Sequence, residues 1–178
     1  MFELQPHLSG DLIELRPLTP EDWSALSHAA SDPLIWEVHP VSDRWKEDVF
    51  REFFREGLAC GGAFVVLERK TGETIGSSRY SNYKPDESEI EIGSTFLVRS
   101  HWGGVYNGEM KRLMLDHAFR FVKTVVFRIG TTNLRSRRAI EKIGGVLTDR
   151  REIVSLHDRV IEHVVYEIKA YEIMAGAK

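Results

Sequence analysis

Among the 178 residues there is a single cysteine, Cys60. One thiol closes no internal disulfide, which excludes the cross-linked framework of a small secreted domain and favours a reducing, cytoplasmic setting. Long apolar runs are missing too, and none approaches the roughly 20 residues of a membrane span. Residues 1–6 lack the basic and apolar regions of a signal peptide, so a mature cytoplasmic chain without membrane attachment is expected. Nor is there an excess of positive charge: 24 Lys and Arg against 27 Asp and Glu give a net −3, which offers nucleic acid no general attraction. The seven histidines show no metal-ligand spacing, so no metal is expected. Gly103-Gly104 is not followed by the Gly-Lys-Ser/Thr of a phosphate-binding Walker loop, and it lacks the spacing of a dinucleotide fingerprint.

What remains is an ordinary globular composition, 42% hydrophobic and 29% charged, of a length that suits one α/β domain over residues 1–178. A short strand over 12–16 ends at Pro17. Thr19-Pro20-Glu21-Asp22 then starts a helix with a capping hydroxyl, proline in the first turn and acids near the positive dipole end. Ser42 or Asp43 begins the next, with Trp45, Val49, Phe53 and Phe50, Phe54 at helical spacing, and Gly61-Gly62 stops it. Two strands over 63–68 and 74–80 form a hairpin across Lys70-Thr71-Gly72-Glu73. A central strand over 89–98 places Ile90, Ile92, Phe96 and Val98 on one face and Glu89, Glu91, Thr95 and Leu97 on the other, if it is regular. Gly93 marks either a bulge or close approach, or a glycine tolerated beside a large neighbour.

A helix over 105–122 follows, with an apolar stripe (Tyr106, Met110, Leu113, Met114, His117, Phe121) and a charged one that includes Glu109, Arg112 and Asp116. A strand over 125–129, a basic helix over 134–143 and a final strand pair over 146–154 and 160–169, turning at His157-Asp158, complete the chain. The order β-α-α-β-β-β-α-β-α-β-β describes a mixed, mostly antiparallel sheet with helices on both faces.

The chemistry-bearing stretch runs from Glu89 to Gly145. A glycine turn between a strand and a helix offers unpaired N–H donors to an anion, and a diphosphate is the natural guest; a plain tight turn is the alternative reading of Gly103-Gly104. Asn133 could be a simple helix cap and Ser136 a first-turn residue. Taken together, Glu91-Ile92-Gly93, Trp102-Gly103-Gly104, the helix with Glu109 and Phe119, and the run from Asn133 through Glu141-Lys142 to Gly144 resemble the GNAT superfamily of acyl-CoA-dependent N-acyltransferases. The resemblance extends to the branch containing the RimJ and RimL N-terminal acetyltransferases, and the element order agrees over nearly the whole chain.

That resemblance implies a GNAT-like fold with acetyl-CoA as co-substrate. His101, Trp102, Gly103, Gly104, Val105 and Tyr106 would hold the diphosphate through their amides, although Val105 stands where a glycine or alanine is usual. Phe96, Leu97 and Val98 would pair with the pantetheine amides, Asn133 would bond the arm or thioester region, and Ser136 would lie near the leaving thiolate. Arg138, with Arg135, Arg137 and Lys142, would meet the 3′-phosphate or form a solvated face. Glu91 is the candidate base, or a plain sheet carboxylate; Ile140 occupies the place where many members carry a tyrosine acid. Trp36, His39, Trp45 and Tyr83 fall where an acceptor groove is lined, or simply pack a core. The acceptor would be an amine, foremost a protein or peptide N-terminus, with small-molecule amines and a non-catalytic binding module as alternatives, in a monomer or homodimer.

Overall fold

The computed structural model describes residues 2–156 and 159–170; the turn expected at His157-Asp158 lies outside the described residues. The strands are β1 (Leu8–Ser9), β2 (Ile13–Pro17), β3 (Ala63–Glu68), β4 (Thr74–Lys84), β5 (Glu89–Leu97), β6 (Thr124–Gly130), β7 (Val146–Leu156) and β8 (Arg159–Lys169). The α-helices are α1 (Trp23–Ala30), α2 (Pro33–Trp36), α3 (Glu47–Ala59), α4 (Val105–Ala118) and α5 (Leu134–Glu141). All eight strands join one sheet in the order β1-β2-β3-β4-β5-β6-β8-β7. Every pairing is antiparallel except that of β5 with β6, which is parallel. The expected mixed, mostly antiparallel sheet is therefore present.

Two cores lie on opposite faces of that sheet. One gathers Ile90, Ile92, Phe127 and Tyr166 against Met110, Met114 and Ala118 of α4 and Ile140 of α5. The other packs Leu26, Trp36, Phe50, Phe53 and Phe54 from α1–α3 on Val65 and Phe96. Each large side chain so buried contributes roughly 1.5–3 kcal/mol.

The central strand is not regular. Ser77 pairs with Phe96 and Arg79 with Gly93, so Ser78 alone confronts Ser94 and Thr95, and Ser94 takes a left-handed φ of 48°. This β-bulge inverts the alternation beyond it. Leu97, expected opposite Ile90 and Ile92, joins them on the α4 side, while Phe96 moves to the α1–α3 side.

The third helix also differs from expectation. Residues 42–45 form turns, Lys46 is the extended N-cap, and α3 starts at Glu47 with Asp48 beside it. The acids sit where the helix dipole favours them. Trp45 consequently lies exposed outside the helix, and it is Arg44 that turns inward onto Trp36 and Phe53. Helix α4 ends at Ala118, one turn before the expected stop. Its charges are not all in water: Glu109 accepts the backbone N–H groups of Asp11, Leu12 and Ile13 at 2.8–2.9 Å and ties the start of β2 to α4.

Candidate active site

The parallel ladder between β5 and β6 is short. It runs only from Glu89–Thr124 to Glu91–Val126. Beyond it the strands part, leaving the β6-facing edge of β5 from Ile92 to Leu97 without a strand partner. A cavity of about 960 Å³ fills this gap and reaches from the glycine turn before α4 to α5 and across to α2.

The turn is shaped by its glycines. Gly103 and Gly104 have φ of 95° and 146°, and a Cβ at either would meet nothing within 4 Å. Backbone conformation rather than crowding therefore demands glycine, and open space stands beside the first turn of α4, whose N–H groups lack intrahelical acceptors. Such a terminus suits a diphosphate. Val105 is 68% exposed, so its side chain does not occupy the core beneath the turn. The ring of Trp102 is tethered by its Nε1–H to the Leu97 carbonyl at 2.8 Å. His101 and Tyr106 are fixed together: the Tyr106 hydroxyl donates to Glu68 at 2.8 Å, and His101 Nε2 stands 3.3 Å from the same carboxylate.

From the opposite wall, α5 presents Asn133, Ser136, Ala139 and Ile140. Asn133 is buried and caps the helix, its Oδ1 accepting the Ser136 N–H at 3.2 Å. The Ser136 hydroxyl has no hydrogen-bond partner among the described residues. Ile140 is a core residue pressed against Gly145, where an added Cβ would lie 2.3 Å from its side chain.

The three arginines of α5 and Lys142 at its C-cap divide. Arg137 is used internally, donating to the Tyr166 hydroxyl and the Thr131 carbonyl. Arg135 lies 4.2 Å over the Trp102 ring and donates to the Ile35 carbonyl, so it braces the turn against α2. Arg138 and Lys142 remain exposed on the cavity rim, available to phosphate.

On the sheet floor, Glu91 is buried, and its Oε2 accepts from Asn82 Nδ2 at 2.6 Å and Arg128 Nη1 at 2.8 Å. Its Oε1 lies beside Gly93, 3.0 Å from where a Cβ would stand. Phe96 and Leu97 line the cavity, whereas Val98 lies beyond it, half-buried between the two cores. Trp36 and His39 also line the cavity. Tyr83 packs instead on Phe2, away from the gap.

Sequence reasoning missed Lys111. Its Nζ is buried, donates to Thr95 Oγ1 at 2.7 Å and Ser78 Oγ at 3.4 Å, and stands 5.7 Å over the Phe127 ring. No carboxylate pairs with it among the described residues, and burial pushes its pKa down to about 7. A signal existed: Lys111, Leu115 and Ala118 recur at i, i+4, i+7 and are buried together. Arg44 and His163, both lining the cavity, were missed as well.

The comparisons with known proteins agree with this geometry. Residues 13–146 match the family model for the acetyltransferase (GNAT) domain. No curated protein matches in sequence. Among solved structures, an acetyltransferase from Agrobacterium tumefaciens strain C58 is 25% identical with a TM-score of 0.68, covering 92% of this chain and 94% of its own. A GCN5-related N-acetyltransferase from Brucella melitensis is 18% identical with a TM-score of 0.81, over 96% and 81% of the two chains. Mycobacterium smegmatis RimJ, in complex with CoA-disulfide, is 19% identical with a TM-score of 0.72, over 99% and 98%. The chain belongs to the GNAT acetyltransferase family. It is an N-acetyltransferase whose acyl donor is acetyl-CoA.

Proposed function

We propose that this chain acetylates the α-amino group of a protein or peptide N-terminus, as a RimJ/RimL-like member of its family, and acts in the cytoplasm as a monomer or homodimer. The observation that carries the reading is the gap between β5 and β6, which connects the glycine turn on one side of the sheet with the Trp36–His39 region on the other. A donor threaded through it would meet an acceptor entering from the opposite face. Charge on the acceptor side favours an acceptor with few positive centres: Arg44 lines the cavity beside Trp36 and His39, with Arg79 behind it on the same Phe53 ring, which disfavours polyamines and aminoglycosides. A free amino acid offers the same α-amino group and is the second reading.

The residues divide the work as follows. The amides from His101 to Tyr106 hold the diphosphate, and Arg138 and Lys142 neutralise the 3′-phosphate. The free edge of β5 at Phe96 and Leu97, continuing to Val98, pairs with the pantetheine amides, and Asn133 fixes the far end of the arm. When bound, acetyl-CoA supplies an electrophilic thioester carbonyl. Glu91, with Oε2 already engaged, uses Oε1 to take the proton of the attacking amine through water. Ser136, whose hydroxyl is otherwise unengaged, donates to the departing sulfur. Thiol release from acetyl-CoA across a panel of peptides tests the reading. Glu91→Gln should lower kcat and reshape its pH profile, and Ser136→Ala should lower kcat while leaving acetyl-CoA affinity in place. Unchanged rates and profiles in both would remove the two assignments.

A further inference from the structure

On the face of the sheet opposite α4, the cavity wall carries two hydrogen-bond donors that face one another. Val41 donates its backbone N–H to His39 Nδ1 at 2.9 Å. In a neutral imidazole the hydrogen must then sit on Nε2. Burial, reinforced by Arg44, pushes the His39 pKa down to about 3, so the ring is neutral over the whole working pH range. Yet 3.2 Å from Nε2 stands Arg44 Nη1, which can only donate. Two N–H groups thus converge with no acceptor between them among the described residues.

The carboxylates of Glu56 and Asp43 act on Arg44 through space, but neither forms an ion pair with it. Arg44 makes no carboxylate ion pair among the described residues; its guanidinium is stacked 5.3 Å from Trp36 and 4.8 Å from Phe53. Arg79 stacks on the same Phe53 ring at 4.7 Å, which adds positive charge. Across the cavity the buried Nδ1 of His163 is without a hydrogen-bond partner among the described residues. Glu91, the one acidic residue lining the space among the described residues, has its Oε2 taken by Asn82 and Arg128. A half-buried guanidinium packed against two aromatic rings, with a second donor aimed at the same point, is arranged for a carboxylate.

We infer that the acceptor amine carries a carboxylate, which is seated between Arg44 Nη1 and His39 Nε2 and so sets the substrate class. This deepens the acetyl-transfer reading and rests on it. Two sources share the chemistry: the α-carboxylate of a free amino acid, and the side-chain carboxylate of an acidic residue at a peptide N-terminus.

Matched acceptors that differ in that charge provide the test, with thiol release measured at saturating acetyl-CoA and kcat/KM expressed per concentration of neutral amine, because an adjacent amide lowers the basicity of the α-amine. One pair is L-alanine against L-alaninamide. The other is a C-terminally amidated peptide beginning with Glu against the same peptide beginning with Gln. The carboxylated member of one pair should be favoured at least about tenfold in kcat/KM, and the responding pair identifies the source. Arg44→Gln should bring that ratio close to one without changing the KM for acetyl-CoA, while Arg44→Lys should retain part of it. If loss of the Arg44 stack unfolds the protein, His39→Gln, which leaves the stack in place, should still reduce the ratio. Equal kcat/KM within both pairs would overturn the inference and leave acetyl transfer standing. If no acceptor turns over, calorimetric titration of the same pairs into the acetyl-CoA-loaded protein decides: tighter binding of a carboxylated member, lost in Arg44→Gln, supports the inference, and equal binding refutes it. Failure to bind acetyl-CoA at all would remove the proposed function and the inference with it.

Discussion

Replacing Lys111 by Met should make the protein more stable, and by an amount that depends on pH in a defined direction. The side chain has nearly the right length and shape for the site, so packing changes little. The groups left behind stay paired, because Ser78 Oγ and Thr95 Oγ1 are already 2.7 Å apart. What changes is the charge. Folding lowers the lysine pKa from 10.5 to about 7, a gap worth about 5 kcal/mol at 1.36 kcal/mol per pH unit. Between those two values the unfolded chain holds a proton that the folded chain does not, so the wild type gains stability as pH rises through this window. Below pH 7 both states are protonated and the folded protein bears the full cost of a buried ammonium. The variant has no such dependence. Its advantage over wild type should therefore be greatest near pH 6 and shrink by about 2–3 kcal/mol by pH 9. Urea denaturation of both proteins at pH 6, 7.5 and 9 measures this, and taking the difference cancels every other titrating group. An advantage that stays constant across the three pH values would show that Lys111 is not held in an environment that resists its charge.

Glu109 tests the opposite sign. Burial raises its pKa, but three backbone N–H groups lower it more, leaving it below the ordinary 4.5. Its contribution is present above the unfolded value and is lost as pH falls through the folded one, so Glu109→Gln should cost about 1.5–3 kcal/mol at pH 7 and much less in acid, read by denaturation at pH 7 and pH 3.5. At Gly104, with φ at 146°, substitution by Val should cost about 1–3 kcal/mol in thermal or urea unfolding and raise the KM for acetyl-CoA more than that for the amine. Asp22 is buried and bound bidentately by Arg16 at 2.6 and 2.9 Å, so Asp22→Ala, which strands the guanidinium, should destabilise by about 3 kcal/mol in urea unfolding.

The order of elements and the glycine turn could be read from the chain because their signals are local. Proline and acids opened the first helix, glycines closed others, and hydrophobic periodicity changed with each element. Gly93 offered a bulge as one reading, and one lies at the next residue, Ser94; its effect on facing was hidden, since Ile90, Ile92, Phe96 and Val98 alternate as though the strand were unbroken, and the partner strand, with Ser78 facing two residues, reveals the extra one. Arg44 was concealed by a plausible but early helix start, which gave the inward place to Trp45. Lys111 escaped because a cation in an otherwise apolar stripe reads as a solvated residue, and its burial depends on hydroxyls from two other strands. The electrostatics of the acceptor face arise from residues far apart in the chain, and periodicity carries no information about them.

Because only three residue pairs link β5 to β6, the eight strands behave as two plates of sheet joined along a narrow seam, with α4 packed on one plate and α5 on the other, over the same face of the sheet. A long molecule lodged in the opening would act as a clasp between the plates. Its affinity would appear as resistance of the whole sheet to opening, about 2.7 kcal/mol at a hundredfold excess over Kd. Amide exchange in β6 and β8 should slow as much as in β5, even though those strands contribute few of the contacts.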